Sequence, residues 1–215
     1  MFLFFRYPIY RFFLFFLNLP YAIRAPKLVA LSFFLALSSL GTSLCSLFRY
    51  PRWRDQNNFT QGESSYYAMA RIMAHLNLRP DQKILHYGSG LGLSCFFIAI
   101  YYGLPVKGIE IQSCLVQLSK WIQKLLRVEN LEFIHADFLV QDVDDVSVLF
   151  IPSTCFSQDL LKAISKRIVH CKPETYVVSL STPISSPFLD IVKTLRLPQT
   201  WGYAHVYVQK TQKLR

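Results

Sequence analysis

Acidic residues are scarce in this chain, and none of them lies in the first 48 positions. The 215 residues include 13 Asp and Glu against 23 Lys and Arg, which gives a formal net charge of +10. A basic surface favours an anionic partner such as membrane headgroups, nucleic acid or an acidic protein, and the charge alone does not choose among them. Hydrophobic residues make up 52% of the chain, so a sizeable core is available and disorder throughout is not expected.

Cysteine and histidine are also few, and neither forms a pattern typical of a disulfide framework or a metal site. The five cysteines are dispersed without a CxxC pair, and the five histidines show no HxxxH or Cys/His spacing. The cysteines are therefore interpreted as reduced thiols in a cytosolic compartment. No metal site is expected.

A long run without charge lies near the N-terminus. Residues 28–48, LVALSFFLALSSLGTSLCSLF, number 21, and a helix needs about 20 apolar residues to cross a bilayer. This run predicts a transmembrane helix, with a buried core helix or a cleaved signal peptide as the alternatives. The arginines that follow it favour a single-pass membrane protein whose C-terminal domain faces the cytoplasm.

The other segments divide by composition. Residues 1–27 are rich in aromatic side chains but interrupted by arginine and proline, which predicts an interfacial segment that contacts membrane lipids without crossing the bilayer. Residues 49–60 are polar and are interpreted as a juxtamembrane linker. Residues 61–215 are predicted to form one globular domain.

Apolar patterns of two periods alternate along this domain. Strands are predicted at 83–87, 106–111, 131–135, 146–151 and 175–180, helices at 63–78, 91–102, 113–127 and 158–170, and an antiparallel edge strand at 203–209. Strands that alternate with helices indicate an α/β fold with a Rossmann-like, doubly wound and mostly parallel sheet.

Glycine is uncommon, yet three glycines stand at alternate positions in ILHYGSGLGLS, where Gly88, Gly90 and Gly92 separate a strand from a helix. No lysine follows them, which excludes a Walker phosphate loop, and the third glycine comes one position too early for a dinucleotide loop. The spacing suits an adenosine-type ligand without a pyrophosphate, since glycines let the backbone pass close under it. A turn without a ligand is the alternative.

Two acids support the ligand interpretation. Glu110 ends the second strand, 22 residues past Gly88, where a carboxylate can accept hydrogen bonds from ribose hydroxyls. Asp137 follows the third strand and can accept from an adenine amino group, with Phe138 packing on the ring. All three features are expected at the same edge of one sheet.

The segments HYGSGLG, KGIEIQ, VENLEFIHADF and VSVLFIPSTCF resemble the class I, seven-strand S-adenosylmethionine-dependent methyltransferases, over about residues 59–209. The upstream segment QGESSYYAMARIM is similar to that of the non-SET histone-lysine methyltransferases, the disruptor of telomeric silencing family. This resemblance implies that residues 61–215 bind S-adenosyl-L-methionine and transfer its methyl group to a lysine of a protein substrate. Together with the charge-free run, it predicts a membrane-anchored protein-lysine methyltransferase.

The resemblance also implies roles for particular residues. It assigns cofactor binding to Gln61, Gly62, Glu63, Ser64, His86, Tyr87, Gly88, Ser89, Gly90, Gly92, Glu110, Asp137 and Phe138. Ser153 stands beside the expected position of the transferring methyl and is the candidate catalytic residue, with a turn-forming role as the alternative. His86 stands where the family has an aspartate.

Two other functions remain open from the sequence. The membrane segment is compatible with a methyltransferase for a lipid-like or small-molecule substrate, and His86 with an interaction protein that has lost the cofactor. A nucleic-acid partner is not expected, because no aromatic and basic recognition motif is present. Aromatic side chains that could wall a substrate channel are Tyr66, Tyr67, Phe156 and Trp201.

Overall fold

The computed structural model describes residues 2–35 and 63–212. Within the second range, seven strands form one mixed sheet in the order β3-β2-β1-β4-β5-β7-β6. The strands are β1 (Ile84–Tyr87), β2 (Val106–Glu110), β3 (Leu131–His135), β4 (Val148–Ile151), β5 (Tyr176–Leu180), β6 (Leu189–Gln199) and β7 (Gly202–Thr211). The first five are parallel, and β7 pairs antiparallel with both β5 and β6.

Helices connect these strands and cover both faces of the sheet. They are α1 (Phe2–Arg24), α2 (described over residues 27–35), α3 (Tyr66–Met73), α4 (Leu93–Phe97), α5 (Ser113–Leu126) and α6 (Gln158–Ile168). A π-helical turn, Ile98–Tyr102, extends α4. Serine hydroxyls cap two of the helices: Ser65 Oγ accepts from the Ala68 amide at 3.1 Å, and Ser157 Oγ accepts from the Leu160 amide at 3.3 Å.

The predicted parallel strands and the helices at 113–127 and 158–170 are confirmed to within two residues of their predicted ends. Central strands are easy to find because both faces are buried, so their sequences are short apolar runs; all four residues of β1 and of β4 are buried. The predicted helix at 63–78 is shorter than expected. Its helical part is Tyr66–Met73.

The C-terminal region differs from the prediction. The strand predicted at 203–209 is antiparallel, as expected, but it is not at the edge, because β7 lies between β5 and β6. The edge strand is β6, which the sequence did not predict. Its first six residues, LDIVKT, do not alternate polar with apolar side chains, and all of them are partly or fully exposed, so no buried face marks the strand.

The aromatic N-terminal segment forms α1 and packs against the domain. The Tyr10 hydroxyl donates to the Gln199 carbonyl at 2.6 Å, and the Tyr67 amide donates to Asn18 Oδ1 at 3.1 Å. Leu14 is buried on the same side of the helix. Residues 10–24 therefore pack against the folded domain, and their division from it remains a prediction.

The first eight residues of the predicted membrane span, 28–35, lie in α2. Leu28 and Leu31 are completely buried within the main hydrophobic cluster of the domain. No helix in residues 2–35 or 63–212 combines the length and apolar character needed to cross a bilayer. The described part of the span thus gives no support to the predicted transmembrane helix, and residues 36–48 lie outside the described residues.

Candidate active site

A cavity of about 470 Å³ opens at the carboxyl ends of the central parallel strands. From β1 the chain continues to β2 on one side, whereas β4 lies on the other side, so the direction of winding reverses between β1 and β4. Such a switch point leaves a crevice beyond the strand ends, and open α/β sheets bind their ligands there. The volume is within the range of small-molecule sites.

Most of the predicted site residues line this cavity. They are Glu63, Ser64, His86, Gly88, Ser89, Gly90, Glu110, Asp137 and Phe138. Three predicted residues, Tyr87, Gly92 and Ser153, are not among its lining residues. Gln61 and Gly62 fall outside the part of the chain that the structure describes.

The glycine loop turns sharply between β1 and α4. Gly88, Gly90 and Gly92 have φ values of 61°, 57° and 84°, in the left-handed region that favours glycine. Gly92 is also needed for packing, because a Cβ atom there would lie 2.4 Å from Cζ of Phe133. Gly92 therefore shapes the turn from beneath, whereas Gly88 and Gly90 form part of the cavity wall.

Glu110 fixes the loop to the end of β2. Its side chain is buried, and its two carboxylate oxygens accept from the Gly90 and Gln112 amides, each at 2.9 Å. Burial raises the pKa of this carboxyl, while the backbone N–H donors oppose that rise. Each carboxylate oxygen has two lone pairs, so Glu110 can still accept hydrogen bonds from a ligand hydroxyl.

His86 and Ser89 supply polar atoms whose hydrogen-bonding capacity is unused. Within the described residues, His86 Nδ1 and Ser89 Oγ are buried and have no hydrogen-bond partner. The His86 ring stacks on Phe150 with centroids 5.9 Å apart, and burial lowers the pKa of the imidazole to about 4. The ring is neutral at pH 7. Unpaired buried polar groups are costly, and a polar ligand in the cavity can satisfy them.

Asp137 and Phe138, which follow β3, form another part of the cavity wall. Asp137 Oδ1 accepts from the Leu139 amide at 2.9 Å and caps a short 3₁₀ turn. Phe138 stacks between two rings, with centroid distances of 4.5 Å to Tyr87 and 5.8 Å to Phe156. Tyr87 therefore supports the cavity wall from behind without lining it.

Glu63 and Ser64 close the cavity near the β6–β7 turn. The Glu63 amide donates to Thr200 Oγ1 at 3.2 Å, and the Thr200 amide donates to the Glu63 carbonyl at 3.1 Å. Ser64 forms an isolated bridge with Gln199. Burial raises the pKa of the Glu63 carboxyl to about 7, so this acid changes charge near neutral pH.

Ser153 is placed differently from its predicted role. Its side chain is buried, and its hydroxyl donates to the Leu180 carbonyl at 2.6 Å, with the Thr182 carbonyl at 3.1 Å. These bonds attach the turn after β4 to the end of β5. Neighbours in that turn line the cavity instead, namely Pro152, Thr154 and Cys155.

Two of the four aromatic residues that were proposed as channel walls line the cavity. Phe156 and Trp201 line the cavity, whereas Tyr66 and Tyr67 do not. The Tyr66 hydroxyl donates to the Leu28 carbonyl at 3.2 Å, so this ring holds α2 on the domain. Lining residues without a predicted role are mainly apolar, with Met69, Leu91, Leu115, Leu139, Phe150, Leu160 and Leu180 among them.

The strand order, the reversal between β1 and β4 and the cavity beyond the strand ends define a Rossmann-like methyltransferase fold. The family model described as histone methylation protein DOT1 matches residues 49–194, well over half of the chain. The chain belongs to that family.

Similar proteins include two curated relatives from yeasts. The chain is 30% identical over 142 residues to the histone-lysine N-methyltransferase, H3 lysine-79 specific, of Candida albicans, and 27% identical over 127 residues to the protein of the same description from Debaryomyces hansenii. The matches cover 59% and 52% of this chain but 11% of each relative, so the chain spans about a tenth of their length.

Among solved structures, an RNA methyltransferase from Salinibacter ruber in complex with S-adenosyl-L-homocysteine superposes with a TM-score of 0.58. The two chains are 20% identical, and the match covers 68% of this chain and 92% of the other. A likeness at this identity concerns the fold. It supports the strand order and the position of the cavity.

Proposed function

We propose that this protein is an S-adenosylmethionine-dependent methyltransferase that acts on lysine side chains of a protein substrate. The observation that carries the proposal is the buried carboxylate of Glu110, tied to the Gly90 amide at 2.9 Å at the edge of the cavity. A buried acid at the end of the second strand, next to a glycine turn, is suited to accept from ribose hydroxyls. Membership in a family of histone methylation proteins supports the lysine acceptor.

The residues present fit this cofactor. Glu110 would hold the ribose, and Asp137 with Phe138 the adenine, while Gly88 and Gly90 let the backbone pass close beneath the ligand. We assign the amino end of the methionine part to Glu63, because Glu63 lines the cavity and the neutral His86 cannot supply a negative charge. When bound, S-adenosylmethionine supplies a methyl group on a positively charged sulfur.

The chain itself must position a neutral amine and keep water away. A lysine attacks only when deprotonated, and an apolar surrounding lowers the pKa of its ammonium group. Phe156, Leu160 and Trp201 supply such a surrounding on one side of the cavity. Holding the amine in line with the sulfur–methyl bond then contributes through orientation. Ser153 would contribute by positioning this wall, because its hydroxyl is bonded to the end of β5.

The identity of the substrate remains a prediction. Histone H3 is the substrate named for the two yeast relatives, and this chain matches only 11% of each. Anchoring through residues 28–48 likewise remains a prediction from the sequence, because residues 36–48 lie outside the described part of the chain.

The test uses the purified full chain, S-adenosylmethionine labelled on its methyl group, and three acceptors: core histones, nucleosomes and a total protein extract. We expect label in protein and methyl-lysine in its digest by mass spectrometry. Glu110→Ala should abolish both, whereas Glu129→Ala, which changes an exposed acid outside the cavity, should retain them. Label that enters only lipid or RNA would contradict the lysine acceptor, and failure to bind S-adenosylmethionine would contradict the whole proposal.

A further inference from the structure

The inward face of α1 is fully used in packing. Tyr10, Leu14, Asn18 and Tyr21 recur at intervals of three or four residues, which brings them to one side of a helix. Tyr10 and Asn18 make the hydrogen bonds to the domain described above, and Leu14 is buried. The Tyr21 ring meets Phe97 edge-on, with centroids 5.7 Å apart. These contacts hold α1 in one orientation on the domain.

The opposite face of α1 is also apolar, but it is exposed. Phe12, Phe16 and Ile23 share one side of the helix and are 66%, 53% and 69% exposed, and Phe15 beside them is 58% exposed. A helix that only covers a soluble domain usually carries polar residues on its outer side. Clustered exposed side chains of this size mark an interaction surface.

The described part of α2 repeats this division. Leu28 and Leu31 are completely buried, whereas Val29 and Phe33, four residues apart, are 57% and 60% exposed. The two N-terminal helices thus each have one apolar face that packs on the domain and other apolar side chains that are exposed.

The N-terminal part of the sequence carries only positive charge, which favours an anionic partner. The first acid of the chain is Asp55, and every charged residue before it is basic: Arg6, Arg11, Arg24, Lys27, Arg49, Arg52 and Arg54. Arg24 and Lys27 are exposed at the end of α1 and the start of α2. A second copy of the same chain would bring positive charge against positive charge, whereas anionic lipid headgroups would neutralise it.

We propose that the outer face of α1, formed by Phe12, Phe15, Phe16 and Ile23, lies on the surface of an anionic phospholipid bilayer. The aromatic and aliphatic side chains enter the boundary between headgroups and acyl chains, and the helix axis stays parallel to the membrane. This is the arrangement of interfacial amphipathic helices with basic flanks. It holds independently of whether the cavity transfers methyl groups.

The inward face of α1 lies near one wall of the cavity. The Tyr10 ring meets the Tyr203 ring with centroids 6.1 Å apart, and Tyr203 is two residues from Trp201, which lines the cavity. Docking through the outer face of α1 would therefore hold this part of the cavity wall one helix diameter, roughly 10 Å, from the lipid surface.

The test measures sedimentation of the purified full chain with vesicles of phosphatidylcholine alone or mixed with phosphatidylglycerol. We expect binding to the mixed vesicles, weakened about tenfold or more by Phe12→Ser with Phe16→Ser, because each substitution removes a large apolar side chain from the interface. Phe12→Leu with Phe16→Leu should retain binding. The matched control is Ile191→Ser with Val192→Ser on β6, which are 54% and 53% exposed, and it should bind like the wild type.

Circular dichroism on heating verifies that each variant is folded. The proposal is wrong if the wild-type chain does not bind anionic vesicles. It is also wrong if the chain with Phe12→Ser and Phe16→Ser binds them as well as the wild type. If the wild-type chain binds neutral vesicles as tightly as anionic vesicles, the proposed contribution of charge is wrong. If light scattering shows a wild-type dimer that the serine substitutions separate, without vesicle binding, the face belongs to a second copy.

Discussion

We expect Glu63 to link cofactor binding to pH. Burial raises the pKa of its carboxyl to about 7, whereas a nearby ligand ammonium favours the ionised form. Protonation of Glu63 should therefore compete with binding. With a pKa near 7 in the empty site, the affinity for S-adenosylmethionine should fall about tenfold between pH 8 and pH 6. His86 does not contribute, because its pKa of about 4 keeps the ring neutral over this range.

The substitution Glu63→Gln removes both the charge and the titration. A hydrogen bond to a charged group contributes about 1.5–3 kcal/mol, so the variant should bind roughly 10- to 150-fold more weakly at pH 8 and should lose the pH dependence. Isothermal titration calorimetry with S-adenosylhomocysteine, which keeps the amino group, measures both effects. Glu129→Gln, at an exposed acid outside the cavity, should behave like the wild type.

The stability of the empty protein should change in the opposite direction. A carboxyl whose folded-state pKa is raised costs stability once the pH exceeds its unfolded value, so the free energy of unfolding falls between pH 4.5 and about 7. The full cost is at most roughly 3 kcal/mol, since Glu63 keeps some exposure to the cavity. Glu63→Gln should therefore melt higher than the wild type at pH 8 while binding more weakly. A wild-type affinity equal at pH 6 and pH 8, or a tenfold pH dependence that survives in the variant, would refute this reasoning.

Four further substitutions test the packing around the site. Gly92→Ala should destabilise the protein by about 2–4 kcal/mol, because a left-handed backbone and contact with Phe133 both oppose a Cβ atom. Gly90→Ala, which has open space around its Cβ, should cost about 1 kcal/mol. Urea unfolding compares the two variants, and equal losses of stability would contradict the packing role of Gly92. Ser153→Ala should lower the free energy of unfolding by about 1–3 kcal/mol, because its hydroxyl donates to backbone carbonyls. Since that hydroxyl does not line the cavity, kcat should stay within a few-fold of the wild type. A large loss of kcat in a folded variant would support a catalytic role for Ser153. Tyr87→Phe should leave the melting temperature unchanged or raise it by a few degrees, since the buried hydroxyl has no hydrogen-bond partner among the described residues. A clearly lower melting temperature would show that the Tyr87 hydroxyl makes a stabilising hydrogen bond.

The sequence predicted the strand ends of the site well because parallel strands have a simple physical signature. Strands buried on both faces leave short apolar runs, and the residues just after them meet at one edge of the sheet. Glu110 and Asp137 were found by that rule, and both line the cavity. The alternation of side chains also explains why only one of the neighbours His86 and Tyr87 lines it, since successive residues of a strand point to opposite faces.

Other parts could not be predicted from local patterns. Ser153 follows a strand like the other site residues, but its hydroxyl meets carbonyls 27 and 29 positions further along the chain. The packing of α1 could not be predicted either, because a helix that is apolar on both faces has no periodicity that separates the face packed on the domain from the exposed face. Tertiary contacts alone reveal which of its faces is buried.

The contacts that cover the cavity also have a consequence for the order of folding. Glu63 is bonded to Thr200 across 137 positions, Ser65 to Pro198 across 133, and Tyr10 to Gln199 across 189. Contacts between such distant parts of a chain form only after a costly loop closure, and during synthesis only after the last part has emerged. The parallel strands that carry Glu110 and Asp137 can therefore assemble before the cavity is covered. A chain that ends before β6 would keep the cradle for the ligand but would lack the turn that holds Glu63 over it.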